Sequence, residues 1–350
     1  MPGCDALRDA TRGCRVIVLA ATEAEAEPLR AAMLKPERHT VATKTIYVGG
    51  FEAKAPDSPV NGIPPDGARW MVRAVLAITG CDKANTAHLL TCLLQAMTPA
   101  PLLVLQVGIA GAFLGGGPGP GATVGDIVIA TRETYSDVGS SSPVGWYTAA
   151  ELDLPIACVN GIETGGVFPL DAALVLSAAD AISEVDWTDI IPADSTPSLE
   201  NVTWPLGVRP PGAMPAVLLG PCITSSRVTG IRSEGEVLAQ SFGALAESME
   251  GAAAAHVCAL YGVPFLELRG ISNLVGDRDR DGWRVERAVA VAGRAAMAVV
   301  AELGTLPLAG AGRGAGAQPG TGTHSGDAGA AGGVAAAGGG PDLGEVGLGG

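Results

Sequence analysis

The chain has 350 residues, 47% of them hydrophobic, with a formal net charge of −14. That is enough for one large or two modest domains with a buried core, filled mostly by small aliphatic side chains because aromatics make up only 4%. The acidic balance argues against a nucleic-acid partner, since phosphate binding needs a concentrated basic surface.

The 7 cysteines are scattered, with no CxxC pair, and the 4 histidines are widely spaced. This fits reduced thiols better than a disulfide frame or a zinc site, so no metal and no cofactor are expected. No run of about 20 apolar residues exists to span a bilayer. The short apolar run 16–21 is followed at once by Glu23, Glu25 and Glu27, unlike a secretory leader. A cytoplasmic protein without a membrane partner is expected.

Residues 1–14 read as a loose lead-in, and 15–21 (RVIVLAA) predict the first strand. Thr22 then caps a helix, TEAEAEPLRAAML, whose first-turn acids suit the positive end of the macrodipole. The charge pattern leaves two readings for Glu23, Glu25 and Glu27: dipole compensation, or a carboxylate reaching over the sheet edge into a site. Residues 40–48 alternate as a strand, 49–69 form a Pro- and Gly-rich loop, and 70–78 are the next strand. TGCDKANTAHLLTCLLQAM is a turn and a helix, on which His88 reads as a surface or core residue and not a ligand.

Residues 101–107 (PLLVLQV) predict a buried strand, with GIAGAF as the glycine turn after it. This is not GxGxxG opening a helix, so no dinucleotide site is indicated. Gly108 and Gly111 suit either a close backbone approach to a ligand or a tight turn. Residues 124–130 (VGDIVIA) form another strand, with Asp126 closing a turn. Beyond 136 the chain reads poorly: one helix over 171–182, and an insertion or lid over 186–215. A strand opens at 216–219 and a helix covers 231–242.

The stretch 246–281 is the most informative. It predicts an acidic cluster on a turn, an alanine-rich helix over 252–261 stopped by Gly262, a strand over 263–268 broken by Glu267, and a polar loop. Ligands of α/β sheets lie at the carboxyl ends of strands, so the loop after Gly270 is the first place to look. Asp281 then caps a long helix over 283–303. From 309 glycine and alanine dominate, and nothing there offsets the entropy of ordering. The alternation of strands and helices predicts a single α/β domain over 15–304, after the lead-in 1–14 and before a disordered Gly/Ala-rich tail over 305–350.

The ordered series TEAEAE, TGCDKANTA, VGIAGAF, VGDIVIATRETYSDV and ESMEGAAAAHVCALYGVPFLELRGISN resembles the purine nucleoside phosphorylase and 5′-methylthioadenosine nucleosidase superfamily across 15–304. Within it, the chain looks most like the futalosine hydrolases of menaquinone biosynthesis. The resemblance implies a twisted, partly barrel-like mixed β-sheet flanked by helices, a homo-oligomer, and cleavage of the N-ribosidic bond of a small nucleoside. Position by position, it implies that Glu250 binds the ribose hydroxyls, Met249 packs under the sugar and Glu25 activates the attacking water. Val228 and Thr229 would face the base, Ser272 and Asn273 would meet its edge, and Gly108, Ala110 and Gly111 would lie against the substrate. Catalytic roles fall to Glu25, Glu250 and Asn273. Two positions depart from the pattern: Ser248 replaces the first glutamate of the family's glutamate–methionine–glutamate motif, with Glu247 beside it, and Asn273 replaces the aspartate of adenine-specific members.

The second departure bears on the substrate. A carboxylate facing O6 of hypoxanthine sets acceptor against acceptor, whereas an Asn amide can donate to O6 and accept from N7–H. A 6-oxopurine nucleoside is therefore expected. Asn cannot act as general acid, so the proton for N7 must come from water or a carboxyl, with Asp277 and Asp279 as candidates. Acids at Glu23, Glu25 and Asp82 would repel phosphate, which favours hydrolysis over a phosphate-dependent nucleoside phosphorylase. A 5′-methylthioadenosine/S-adenosylhomocysteine nucleosidase is the other alternative. The carboxyphenyl group of futalosine calls for an arginine, with Arg227, Arg232 and Arg132 as candidates.

Overall fold

Five apolar residues in a row, Val16–Ala20, form strand β1, fully buried and paired in parallel on both sides, as suits a central strand covered on both faces. The computed structural model describes residues 2–54, 69–115, 121–143, 145–191, 207–210 and 212–308. All described residues fall within the compact unit Met1–Gly312. After β1 come α2 (Glu23–Ala32), the hairpin β2 (Leu34–Val41) and β3 (Lys44–Lys54), β4 (Arg69–Ile78), α3 (Lys83–Ala96), β5 (Leu103–Ala112) and β6 (Ile127–Tyr135). Two small hairpins follow, β7 (Gly139–Ser142) with β8 (Gly145–Thr148) and β9 (Ala157–Val159) with β10 (Ile162–Thr164). The rest is β11 (Val167–Pro169), α4 (Ala172–Ser183), β12 (Val217–Thr224), α5 (Arg232–Phe242), β13 (Ala246–Ser248), α6 (Gly251–Tyr261), β14 (Phe265–Leu274) and α7 (Val285–Ala301).

Five strands close on themselves. β5 pairs in parallel with β14, β14 antiparallel with β6, β6 in parallel with β12, β12 in parallel with β13, and β13 antiparallel with β5. From β5 the sheet continues outward as an open arm in the order β1, β4, β3, β2. This is the α/β fold with a mixed, partly barrel-like sheet and flanking helices that the resemblance implies. Small residues make the closure possible. Ala252–Ala255 of α6 are buried, and Gly270 of β14 has no room for a Cβ because the Ala288 backbone of α7 lies against it.

Several boundaries differ from the sequence expectation, each for a tertiary reason. Residues 2–10 form a helix, α1 (Pro2–Ala10), instead of a loose lead-in, with Leu7 packed against a core that includes Leu89, Leu90 and Leu93 of α3. The expected strand over 40–48 is part of the β2–β3 hairpin, whose turn holds Ala42 and Thr43 both at positive φ. Residues 49–54 of the expected loop are strand instead, because Gly49 and Gly50 lie inside β3, which runs to Lys54. GIAGAF is no turn: β5 runs through it, paired with β14 as far as Ala112. The acidic cluster at 247 is strand β13, which closes the barrel, and the polar loop expected after Gly270 is still strand β14 as far as Leu274. Asp281 sits in a 3-10 turn, Arg280–Gly282, and the N-cap of α7 is Arg284. Residues 55–68, most of the expected 186–215 insertion and the 309–350 tail lie outside the described residues. No helix among the described residues is long and apolar enough to cross a membrane.

Candidate active site

Glu25 combines a helix-capping role with a place in a cavity. It stands at N3 of α2 and completes a capping box with Thr22. Its Oε2 accepts from the Thr22 amide at 2.9 Å and the Thr22 hydroxyl at 2.8 Å, and its Oε1 accepts from the Ile109 amide of β5 at 2.9 Å. A carboxylate oxygen accepts about two hydrogen bonds, so Oε2 is saturated and Oε1 keeps one lone pair. Gly108 is required at this spot, since a Cβ there would lie 2.6 Å from Glu25 Oε1 and 2.7 Å from an Arg269 guanidinium nitrogen. The glycine thus clears space for the Glu25 and Arg269 side chains, inside strand β5 and not in a turn.

Glu250 is the N-cap residue of α6, yet its carboxylate makes no capping bond. It accepts instead from the Asp82 amide at 3.2 Å and from Arg269 Nη2 at 3.3 Å. Asp82 holds an uncommon φ of 86° while presenting that amide, a local cost of roughly 1–3 kcal/mol of the kind found at functional sites. Burial lifts the Glu250 carboxyl above the usual range, with Arg269 opposing and Glu25 reinforcing the shift. Arg269 is itself 1% exposed and gives its Nε–H to Glu267 at 2.7 Å. Burial alone would lower its pKa, but Glu267 and Glu250 carry it above the ordinary value.

Asn273 owes its position to a β-bulge. The register of β14 against β5 shifts between Ile271 and Asn273, and such a bulge re-aims side chains that would otherwise alternate between faces. Adjacent residues Ser272 and Asn273 thus line the same cavity. Asn273 Nδ2 donates to the Leu274 carbonyl at 3.0 Å, and its Oδ1 accepts from the Ser272 hydroxyl at 2.8 Å. Among the described residues, this leaves one N–H and one lone pair of the carboxamide uncommitted. Gly111 is tight against it, a Cβ there falling 3.3 Å from Asn273 Nδ2 and 3.0 Å from Val275.

One cavity of about 510 Å³ gathers Glu25, Ala110, Gly111, Val228, Thr229, Met249, Glu250, Ser272 and Asn273. Gly108 stands behind its wall. Thr229 is fixed by Glu247, which accepts from the Thr229 amide at 3.0 Å, and burial raises the Glu247 carboxyl. Glu247 thereby organises the 228–229 segment, while the Ser248 hydroxyl is buried without a partner among the described residues. The candidate proton donors Asp277 and Asp279 are not among the lining residues. Each accepts an amide two residues on, as turn formers do. Of the arginines named from sequence, Arg227 pairs with Glu234, and Arg132 donates to the Phe242 carbonyl. Both line a second, larger cavity of about 860 Å³, and Arg232 lines neither.

Arg278, Arg280 and Trp283 line the first cavity instead, with the two guanidinium carbons 5.2 Å and 6.0 Å from the Trp283 ring centroid. Sequence reading missed this trio because GDRDRD looks like a solvated turn. It also gave no role to Arg269, Glu267 or Glu133, although Glu267 stood out as a charge breaking an apolar strand.

Residues 15–304 match the model of a family described as the phosphorylase superfamily. The chain belongs to the phosphorylase superfamily. Its relatives within the superfamily include the futalosine hydrolase of Streptomyces coelicolor, 32% identical over 264 residues, which are 75% of this chain and 90% of that protein. The futalosine hydrolase of Thermus thermophilus is 29% identical over 65% of this chain and 80% of its own length. A 5′-methylthioadenosine/S-adenosylhomocysteine nucleosidase of Mycobacterium tuberculosis is 27% identical over 58% of this chain and 71% of its own length. Among solved structures, the Neisseria meningitidis nucleosidase in complex with methylthio-immucillin-A superposes with a TM-score of 0.56 at 21% identity, covering 83% of this chain and 98% of that one. The native futalosine hydrolase of Helicobacter pylori gives 0.55 at 17% identity, covering 82% and 97%. These superpositions carry the superfamily fold.

Proposed function

We propose that the chain is an N-ribosyl hydrolase that cleaves futalosine with water, releasing hypoxanthine and dehypoxanthine futalosine. The observation that carries this reading is the meeting of Glu25, Glu250 and Asn273 in one cavity. The relatives named futalosine hydrolase support it.

In this reading a water sits on the free lone pair of Glu25 Oε1. Glu25 takes its proton as the oxygen bonds to C1′. The C1′–N9 bond breaks, and positive charge on the ribose is stabilised by Glu250, which also accepts from the ribose hydroxyls. Electron density flows into the purine, where the free Asn273 N–H meets O6 and its carbonyl holds N7–H. With Asp277 and Asp279 occupied in their turn, a solvent water passes a proton to N7, and the proton that Glu25 took from the attacking water returns to solvent, so that no net proton is gained or lost.

Phosphate is disfavoured as nucleophile. Two carboxylates, Glu25 and Glu250, line the cavity; Arg269 is committed to Glu267 and Glu250 and Lys83 to Asp137, and the arginines of the lining, Arg278 and Arg280, lie instead at the Trp283 ring. Hypoxanthine release from futalosine at the same rate with and without phosphate, with free sugar and no sugar 1-phosphate, is the expected result. Strict phosphate dependence would overturn hydrolysis.

The cavity also suits the 5′ end of futalosine. Trp283, Val285 and Val289 offer an apolar seat for a phenyl ring, and Arg278 and Arg280 can meet its carboxylate. Charge-assisted bonds of this kind contribute about 1.5–3 kcal/mol. Replacing both arginines by Met is therefore expected to raise KM for futalosine about tenfold or more, with kcat little changed and the KM for inosine unmoved. An equal rise for both nucleosides would place the carboxylate elsewhere.

A further inference from the structure

Behind the Glu250 carboxylate lies a second acid pair that the proposed reaction does not use. Glu133 of β6 and Glu267 of β14 are both fully buried. Each has one oxygen well occupied. Glu133 Oε2 accepts from the Thr224 hydroxyl at 2.8 Å, and Glu267 Oε1 accepts from Arg269 Nε at 2.7 Å. Each also has one oxygen without any other partner among the described residues, Oε1 of Glu133 and Oε2 of Glu267. Those two orphan oxygens converge on one point, since both would collide with a Cβ on Gly251, the first residue of α6. Gly251 is thus glycine because two carboxyl groups meet beside it.

Two carboxylates this close and this dry cannot both be ionised. The groups facing them decide which one is neutral. From β14 the Arg269 guanidinium donates to Glu267, from β12 come Thr224 and the buried Cys222 thiol, and from β6 comes Tyr135. Gln106, the ladder partner of Glu267 on β5, is buried as well. The cation lies on the Glu267 side, while Glu133 has only a hydroxyl donor. Burial, with Glu267 beside it, pushes the Glu133 carboxyl well above the usual range.

We propose that Glu133 carries a proton that it donates to Glu267, and that this pair, through Arg269, holds the Glu250 carboxylate in place for the ribose. The chain of contacts is continuous: Glu133 to Glu267 to Arg269 to Glu250, with Arg269 also donating to the Ile109 carbonyl at 3.3 Å. It is tied to the helix that carries Glu250 as well, because Thr224 accepts from the Ala252 amide at 2.8 Å while donating to Glu133. Were Glu267 to bear its full charge with no shared proton, Arg269 would be drawn towards it and away from Glu250. Glu133, Glu267 and Arg269 are positioning residues, and the inference rests on the reading of Glu250 as the ribose-binding carboxylate.

The two acids predict opposite responses to the same conservative change. A glutamine at 133 reproduces a neutral acid, since its N–H can donate to Glu267 and its carbonyl can accept from Thr224. E133Q should therefore keep kcat and KM within about twofold of wild type, on the order of a single neutral hydrogen-bond exchange. E267Q removes the charge that anchors Arg269, and kcat should fall by more than about tenfold, the scale of misplacing a reactive group, with KM raised less. The infrared spectrum of the wild type at neutral pH should show the C=O stretch of a protonated carboxyl that is absent in E133Q. This readout holds even if E267Q fails to fold. An E133Q variant as impaired as E267Q, an E267Q variant with full kcat, or a wild type without the protonated-carboxyl band would each overturn the proposal. Failure of the functional reading itself would show differently, as a wild type with no hydrolysis at all.

Discussion

Glu25→Gln is expected to lower kcat for futalosine hydrolysis by about 10³-fold, within the range for loss of a positioned general base, and to leave KM nearly unchanged. Glu25 Oε1 is the oxygen with a spare lone pair, and a carboxamide cannot take the water's proton. The substitution also disturbs the local fold. All three donors on this carboxylate are fixed, the Thr22 amide and hydroxyl on one oxygen and the Ile109 amide on the other. Whichever way the amide turns, its NH₂ meets a backbone N–H. A stability loss of about 1 kcal/mol, the typical worth of a cap, should accompany the loss of activity. Thermal unfolding and steady-state kinetics on the same preparation separate the two effects. A variant that unfolds slightly earlier but hydrolyses at the wild-type rate would remove Glu25 from the chemistry.

Asn273→Asp is expected to invert the choice of base. The change conserves shape and leaves the Ser272 hydroxyl bond in place, but it turns the Leu274 carbonyl contact into acceptor against acceptor. It also exchanges the free N–H for a second acceptor. Facing O6 of hypoxanthine, that acceptor finds no proton, so kcat/KM for futalosine should fall about 10²-fold or more, as in sites built around a specific polar partner. Facing a 6-amino group, the same carboxylate finds a donor, and activity on 6-aminopurine nucleosides should rise. Competition between inosine and adenosine analogues measures this directly. Parallel loss on both classes of base would mean that residue 273 supports the strand and does not read the purine.

Some helix ends were legible. Thr22 and Gly262 mark ends with recognised capping chemistry where the sequence places them, whereas α1 was not foreseen and α7 starts after Arg284 and not at Asp281. Strand lengths were less legible, since pairing partners decide them. β14 extends through the polar residues Ser272 and Asn273 because β5 runs alongside as far as Ala112. The Ala42–Thr43 turn carries no glycine or asparagine to announce its positive φ values.

In the site, the carboxylates at 25 and 250 stand out by motif, but no periodicity brings α2 to the start of α6. Their meeting depends on barrel closure by β13, a strand of only three residues. The bulge that turns Asn273 inward, and the Glu133–Glu267–Arg269 chain beneath Glu250, arise from contacts between distant strands. Single-strand patterns carry no trace of such contacts beyond an isolated charge.

The proposed selection of a 6-oxopurine on a carboxyphenyl-bearing ribose, and its cleavage by water, rests on the pairing at Asn273. The most direct test compares kcat/KM of the wild-type protein for futalosine with that for its 6-amino counterpart, a pair differing only at purine position 6. A preference for futalosine of about 10²-fold or more is predicted from the pairing at Asn273. Equal turnover of the two, or a preference for the amino compound, would contradict it.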